Sequence, residues 1–248
     1  MERRPPDQTQ TLVLIKPDAL KNSLTGYVLS LLSEVHTGVR FAGAKVVQVS
    51  RMLAEQHYAE HKGKFFYEPL LEYIQGRLHY PHEPWKRRVI AVVYQGPNAP
   101  LRIRDIAGPT NPHVAREQRP GCIRSLGTVV PVLDATGKSI GDRMDNLVHA
   151  SATDEEAERE IKLWFLPYDI PPLMRPYEIA ETAEPYYYRD GALHLTDGPG
   201  RVCLLAPGDI AWKSDLDALK LLAAGKPAPI PVEAIAAKYL VNRTDDDV

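Results

Sequence analysis

Residues 146–151, Asn-Leu-Val-His-Ala-Ser, run almost directly into an acidic stretch that opens at Thr153 and carries Glu160. The first segment reads as a short strand. In the second, Thr153-Asp154-Glu155-Glu156 has the spacing of a helix capping box, and Ile161, Trp164 and Phe165 mark one apolar helix face. The fold must therefore present His149 at a strand edge with a helix behind it. Glu160 on that helix can accept a hydrogen bond from one imidazole nitrogen, which sets the tautomer and leaves the other nitrogen as a nucleophile. The arrangement suits covalent phosphoryl transfer. Taken alone, it suits a partly buried structural histidine equally well.

The rest of the chain supplies the sheet. Residues 12–15 and 89–94 are apolar runs of strand length, and residues 39–50 alternate like a strand. Helical spacing recurs at Val28, Leu31, Leu32 and Val35, with Gly38 as the stop, and again over 52–58, 67–74 and 99–106. The order β, α, β, α, β, α, β with extra helices predicts a ferredoxin-like α/β (α+β) sandwich, an antiparallel β-sheet with helices on one face.

Composition excludes several classes. A net charge of -2 gives no electrostatic case for nucleic acid or an anionic membrane as main partner. No apolar run approaches the ~20 residues of a membrane span, and Lys16, Pro17 and Asp18 interrupt the only candidate for a secretory signal. With Cys122 and Cys203 as the only cysteines, no disulfide framework is implied, so a cytoplasmic protein is expected.

Six motifs, in order, resemble the nucleoside diphosphate kinase family. They are TLVLIKPD at 11–18, HYAEHKGKFF at 57–66, the stretch from Gly96 through Arg104 to GPTNP at 108–112, PGCIR at 120–124, NLVHAS at 146–151 and EAEREIKLWF at 156–165. A lone Lys-Pro-Asp carries little information; six motifs in one family's order carry much. The resemblance covers residues 9–168 and implies a phosphotransferase in which His149 is the phosphohistidine nucleophile.

It also implies roles for other residues. Lys16, just past the first strand, would reach the terminal phosphate. Arg104, Thr110 and Arg124 match a phosphate clamp, where guanidinium forks suit bidentate contacts. Tyr58 matches a tyrosine beside the transferred phosphoryl, Asn146 a contact to the sugar, and Phe66 the aromatic that stacks on the base. Stacking tolerates every base, so broad specificity for nucleoside di- and triphosphates is expected. Ser151 would help Glu160 orient His149. Magnesium (Mg2+) would arrive with the nucleotide, held by its phosphates rather than by a protein cage. His57 and His61 have the i, i+4 spacing of a zinc clip but lack the glutamate of a metalloprotease helix, so no protein metal site is expected. The family implies a homo-oligomer, a dimer-based tetramer or hexamer.

Departures from the family pattern are local until residue 165. Phe65 stands where the family usually has proline, and Ala150 where it commonly has glycine. The segment GRLHYPHEPWKRR at 76–88 replaces a short turn, and residues 128–133 and 138–140 around Asp134-Ala135-Thr136-Gly137 predict an inserted β-hairpin beside the site. Base contacts carried there by the family therefore do not transfer.

Residues 169–248 form an extension of a different character. Pro171, Pro172 and Pro176 predict a stiff arm, residues 186–189 and 192–195 a hairpin around Asp190-Gly191, residues 201–205 a third strand, and residues 214–224 and 232–240 two helices. Residues 244–248 are expected to fray. A module this small buries too little alone, so docking on the first 168 residues or on a neighbouring subunit is expected. Two other functions fit the same residues: a nucleotide-binding regulator whose hairpin blocks the site, and a scaffold whose extension is the interaction module.

Overall fold

The computed structural model describes residues 8–133 and 136–241. Its centre is β1 (Gln8–Ile15), which lies between β3 (Val89–Pro97) and β6 (Val148–Ala150), with β2 (Arg40–Val47) on the far side of β3. All three pairings are antiparallel, and the short register of β6 places His149 opposite Leu14.

Every residue of β1 from Gln10 onward is buried, so the strand has no solvent face. Leu12 and Leu14 join one core with Leu53, Leu71, Ile161 and Trp164; Val13 and Ile15 join a second with Val28, Ile103 and Leu147. The expectation of helices on one face only is thus corrected. A strand apolar at both parities requires cover on both sides. One face packs α4 (Arg51–His57), α5 (Tyr67–Ile74) and α8 (Asp154–Trp164); the other packs α2 (Thr25–Leu31) and α6 (Ala99–Ala107).

Local chemistry explains the element ends. The short α1 (Pro17–Lys21) starts with proline at its first position. The helix read through Val35 is broken: α2 stops, α3 (Glu34–Thr37) restarts after Ser33, and Val35 is left 95% exposed. Gly38 closes α3 in the left-handed region at φ 67°. The turn chemistry of Thr110-Asn111-Pro112 opens a helix that sequence periodicity did not suggest, α7 (Pro112–Gln118), whose cap is Asn111 accepting from the His113 N–H at 2.9 Å. Thr153 caps α8 as expected, accepting from the Glu156 N–H at 3.2 Å. Glu156 answers by accepting from the Ala152 N–H at 2.6 Å.

The inserted hairpin is present as β4 (Thr128–Leu133) and β5 (Ser139–Asp145), paired through Thr128 and Asp145 at its base. Asp134 and Ala135 of its turn lie outside the described residues, as do residues 244–248.

The extension begins after α8 with two proline-led turns and then β7 (Ile179–Glu181), β8 (Tyr186–Arg189), β9 (Ala192–His194), β10 (Val202–Leu205) and β11 (Ile210–Trp212). The expected hairpin and third strand form a sheet in the order β10-β8-β9; the pairing of β11 with β7 was not foreseen. Two helices follow, α9 (Lys213–Ala223) and α10 (Val232–Tyr239). Ser214 does not cap α9, which starts one residue earlier behind Trp212. Lys238 and Asp215, both buried, tie the two helices together at 2.5 Å.

This extension docks on its own chain. Trp212 and Ala237 belong to the same core as Leu53 and Trp164, and the Trp212 indole N–H donates to the Phe165 carbonyl at 2.7 Å. Its apolar faces are buried against α4 and α8, the two helices behind the histidine edge. Among the described residues, no helix is long and apolar enough to cross a membrane.

Candidate active site

His149 sits on β6 where the strand meets a cavity of about 480 Å³. Its Nε2 lies 2.8 Å from Glu160 Oε2, and Ser151 Oγ donates to that same oxygen at 2.6 Å. Both carboxylate supports come from adjacent elements, Ser151 just past the strand and Glu160 two turns into α8. An ionised Glu160 makes Nε2 the protonated nitrogen, which leaves the Nδ1 lone pair available. Burial, with Lys16 and Arg124 nearby, holds His149 well below the ordinary imidazole range. The ring is therefore neutral at physiological pH, the state a nucleophile needs.

A second histidine lies behind the first. The His57 ring meets the His149 ring edge-on with centroids 4.6 Å apart, and its Nδ1 accepts from the Trp164 indole N–H at 3.2 Å. Burial pushes His57 down to about 3, so it too is neutral. His57, His149 and Glu160 place potential ligand atoms within 4.8 Å of one another. That geometry alone would suit a metal. However, Trp164 occupies His57 Nδ1, and Glu160 Oε2 is shared by His149 and Ser151, so the cluster reads as a hydrogen-bonded support.

The cations converge on the same space. Lys16, at the end of β1, is buried and hydrogen-bonds Asn146 Oδ1; Asn146 Nδ2 donates to the Thr110 carbonyl at 2.8 Å. Desolvation lowers Lys16 to about 8 against the opposing pull of Asp18. Arg124 is held by the carbonyls of Gly108 at 2.8 Å and Val148 at 3.2 Å, and burial lowers it to about 10. Arg104 donates to the Ala150 carbonyl at 3.2 Å. No carboxylate neutralises Arg104 or Arg124 among these bonds. An anion entering the cavity would meet preset donors with unspent charge.

A strained turn sets this floor. Leu147 has φ 69°, unusual for a branched residue, and persists because Asp18 Oδ2 accepts its N–H at 2.9 Å while its carbonyl accepts the Lys16 N–H at 2.8 Å. Asp18 of the Lys-Pro-Asp motif is thus a brace for the Asn146-Leu147 bend.

The motif order found in the sequence is matched along most of the chain. The family model for nucleoside diphosphate kinase matches residues 9–170. The chain belongs to the nucleoside diphosphate kinase family. A nucleoside diphosphate kinase from Pyrococcus furiosus is 37% identical over 181 residues, covering 73% of this chain and 93% of that protein. One from Thermococcus kodakarensis is 35% identical over 179 residues, covering 72% and 86%. Among solved structures, the Aquifex aeolicus nucleoside diphosphate kinase aligns with a TM-score of 0.53 at 26% identity, covering 66% of this chain and 99% of that one. A Borrelia burgdorferi nucleoside-diphosphate kinase, solved as a transition-state mimic with vanadate and ADP, aligns at 0.52 and 26% identity, covering 70% and 94%. The chain is accordingly a phosphotransferase on the ferredoxin-like fold.

In this kinase the ten residues singled out from the sequence come together. Lys16, Tyr58, Phe66, Arg104, Thr110, Arg124, Asn146, His149 and Glu160 line one cavity, and Ser151 stands directly behind Glu160. Tyr58 is buried beside the His57 ring at 4.5 Å, and desolvation raises its phenol well above the ordinary range, so it stays a neutral donor. Sequence reasoning missed several residues around the site. His57 was weighed only as a zinc clip with His61, Asp18 only as part of a motif, and Tyr73, Arg143 and Met144 not at all. The i, i+3, i+4, i+7 spacing of Phe66, Pro69, Leu70 and Tyr73 was the available signal for one wall; the hairpin was expected, but its second strand was read only to residue 140, whereas β5 runs on to Asp145 and carries Arg143 and Met144 into the cavity.

Proposed function

We propose that the protein transfers the terminal phosphoryl of a nucleoside triphosphate to a nucleoside diphosphate through a phosphohistidine at His149. The observation that carries this reading is the His149–Glu160 pair at the wall of a cavity where Lys16, Arg104 and Arg124 converge. In the first half reaction the Nδ1 lone pair of His149 forms a bond to the γ-phosphorus. The bond from phosphorus to the β,γ-bridging oxygen breaks, and its electron pair leaves with the diphosphate. His149 keeps its Nε2 proton toward Glu160, whose carboxylate offsets the positive charge that develops on the ring. In the second half reaction a terminal oxygen of the incoming diphosphate takes the phosphoryl, and the lone pair returns to Nδ1.

The other residues act by position and charge. Lys16, Arg104, Thr110 and Arg124 bind the phosphates, Tyr58 donates beside the transferred group, Asn146 holds the sugar against Lys16, and Phe66 stacks on the base. Magnesium fits this lining through the nucleotide: the cationic floor of Lys16, Arg104 and Arg124 would receive the phosphates that carry the ion, and Asp142 on the cavity wall would add a carboxylate for its hydration shell. When bound with the nucleotide it supplies charge neutralisation across the phosphates.

Residues 9–168 form the catalytic unit in this reading, and residues 169–248 an extension that braces it in a cytoplasmic homo-oligomer. The regulator alternative needed the hairpin to block the site. With about 480 Å³ open beside His149, a volume in the range of small-molecule sites, the enzyme reading is favoured. Initial-rate kinetics test it: a shared covalent intermediate predicts parallel double-reciprocal lines as the second nucleotide is varied, and intersecting lines would contradict it.

A further inference from the structure

The inserted hairpin reaches the cavity through Arg143 and Met144. Phe66, just before α5, and Leu70 and Tyr73 of that helix line the same cavity, so the two elements contribute to one slot with a largely apolar wall. The hairpin is seated against the same helix entrance: a Cβ added at Gly141 would run into the exposed Phe65 ring. At its base, Arg143 grips Asp145 with Nε to Oδ1 at 2.6 Å and Nη2 to Oδ2 at 3.0 Å, and Asp145 Oδ2 also meets His79 Nε2 at 2.9 Å. The guanidinium lies 6.0 Å from the Tyr73 ring centroid, on the ring that Lys16 approaches to 4.6 Å.

This geometry separates Arg143 from the phosphate clamp. A carboxylate offsets its charge, so it is a weak anchor for an anion compared with Arg104 or Arg124. Its fork is nevertheless fixed in direction, and the bonds to Asp145 use Nε and Nη2, leaving Nη1 as a donor for a neutral acceptor. In the reading above Lys16 serves the phosphates and Asn146, bonded to it, serves the sugar.

We propose that Arg143 is a specificity-determining residue that donates from Nη1 to a keto oxygen on the edge of the bound base. The inference rests on the cavity being the nucleotide site. A base with a keto oxygen at that edge, as in guanine O6 or uracil O4, accepts the bond. Adenine presents an amino group there, and donor then faces donor, which leaves both unpaired.

Equilibrium binding of GDP, UDP, ADP and the 2′-deoxy forms, each with magnesium and without an acceptor, tests this apart from turnover. The wild type should bind GDP and UDP about tenfold more tightly than ADP, the worth of one charge-assisted hydrogen bond. Arg143→Ala should remove that preference and leave ADP binding nearly unchanged. Arg143→Lys keeps a cation beside Asp145 but loses the fork, so the preference should fall there too, even if the alanine variant fails to fold. Equal wild-type affinities, equal weakening of GDP and ADP in the variants, or a loss that follows the 2′-hydroxyl instead of the base would overturn the inference. Wild-type protein that binds no diphosphate would overturn the proposed function with it, whereas binding without base preference would overturn this inference alone.

Discussion

Glu160 Oε2 stands 2.8 Å from His149 Nε2, and this contact spans from the edge strand of the sheet to a buried position on the helix behind it. Because Ser151 donates to the same oxygen, the carboxylate cannot turn away from the ring without breaking two bonds. The pair fixes which imidazole nitrogen faces the cavity.

Glu160→Gln should therefore slow phosphoryl transfer without abolishing it. The amide keeps a hydrogen-bonding oxygen but not the charge that offsets a cationic ring. A charged hydrogen bond is worth about 1.5–3 kcal/mol, so a roughly ten- to hundredfold fall in kcat is expected, with KM little changed. A wild-type kcat would show that Glu160 does not orient His149.

The pH dependence of kcat/KM should be asymmetric. His149 is held well below the ordinary imidazole range, so the acid limb should lie below 6.5. Lys16 loses its charge around 8 in the free enzyme, so kcat/KM should fall above that pH. Lys16→Arg, charged throughout, should move the alkaline limb upward; an unmoved limb would assign it to another group.

Stability should also respond to pH through His57. Its folded value of about 3 lies below the unfolded 6.5, so the unfolded chain binds more protons between those values. This contribution is fully present above 6.5 and is lost as pH falls toward 3. Urea midpoints measured across that window should decline for the wild type, with a shallower slope for His57→Gln. Equal slopes would contradict a buried neutral His57.

How much of this was legible in the chain depended on distance along it. His149 and Glu160 are eleven residues apart, close enough for a strand and a helix period to bring them together. Ordered motifs then located Lys16, Arg104 and Arg124. By contrast, the Trp164–His57 bond joins residues 107 apart, and no local pattern reports such a contact. Asp18 bracing Leu147 spans 129 positions. Val35 failed for the opposite reason, since apolar spacing continued through a break at Ser33 that only chain geometry reveals. In the extension, strands of three residues such as β7 and β11 are too short to show alternation.

The extension should matter for stability more than for chemistry. Trp212 is fully buried in the core shared with Trp164, and its indole N–H is paired with Phe165. Trp212→Ala should cost roughly 3–5 kcal/mol in denaturant unfolding while phosphohistidine formation stays detectable in the folded fraction. A change under 1 kcal/mol would mean that the extension docks without bracing the kinase core.

The assembly is open to a direct measurement. The proline-led arm lies over its own chain yet leaves Leu173 fully exposed and Tyr168 65% exposed, an apolar surface suited to a second subunit. Light scattering at micromolar concentration should return a multiple of the 27.7 kDa chain. A stable monomer would reject the homo-oligomer.

The central claim is that phosphoryl passes through His149, and isolating the intermediate tests it most directly. Wild-type protein incubated with γ-labelled ATP and magnesium, without diphosphate, should retain a label that is lost in acid, survives alkali and leaves on addition of a nucleoside diphosphate. His149→Ala should bind nucleotide and take up no such label. Label retained in that variant, or active wild-type enzyme with no labelled intermediate, would contradict the account.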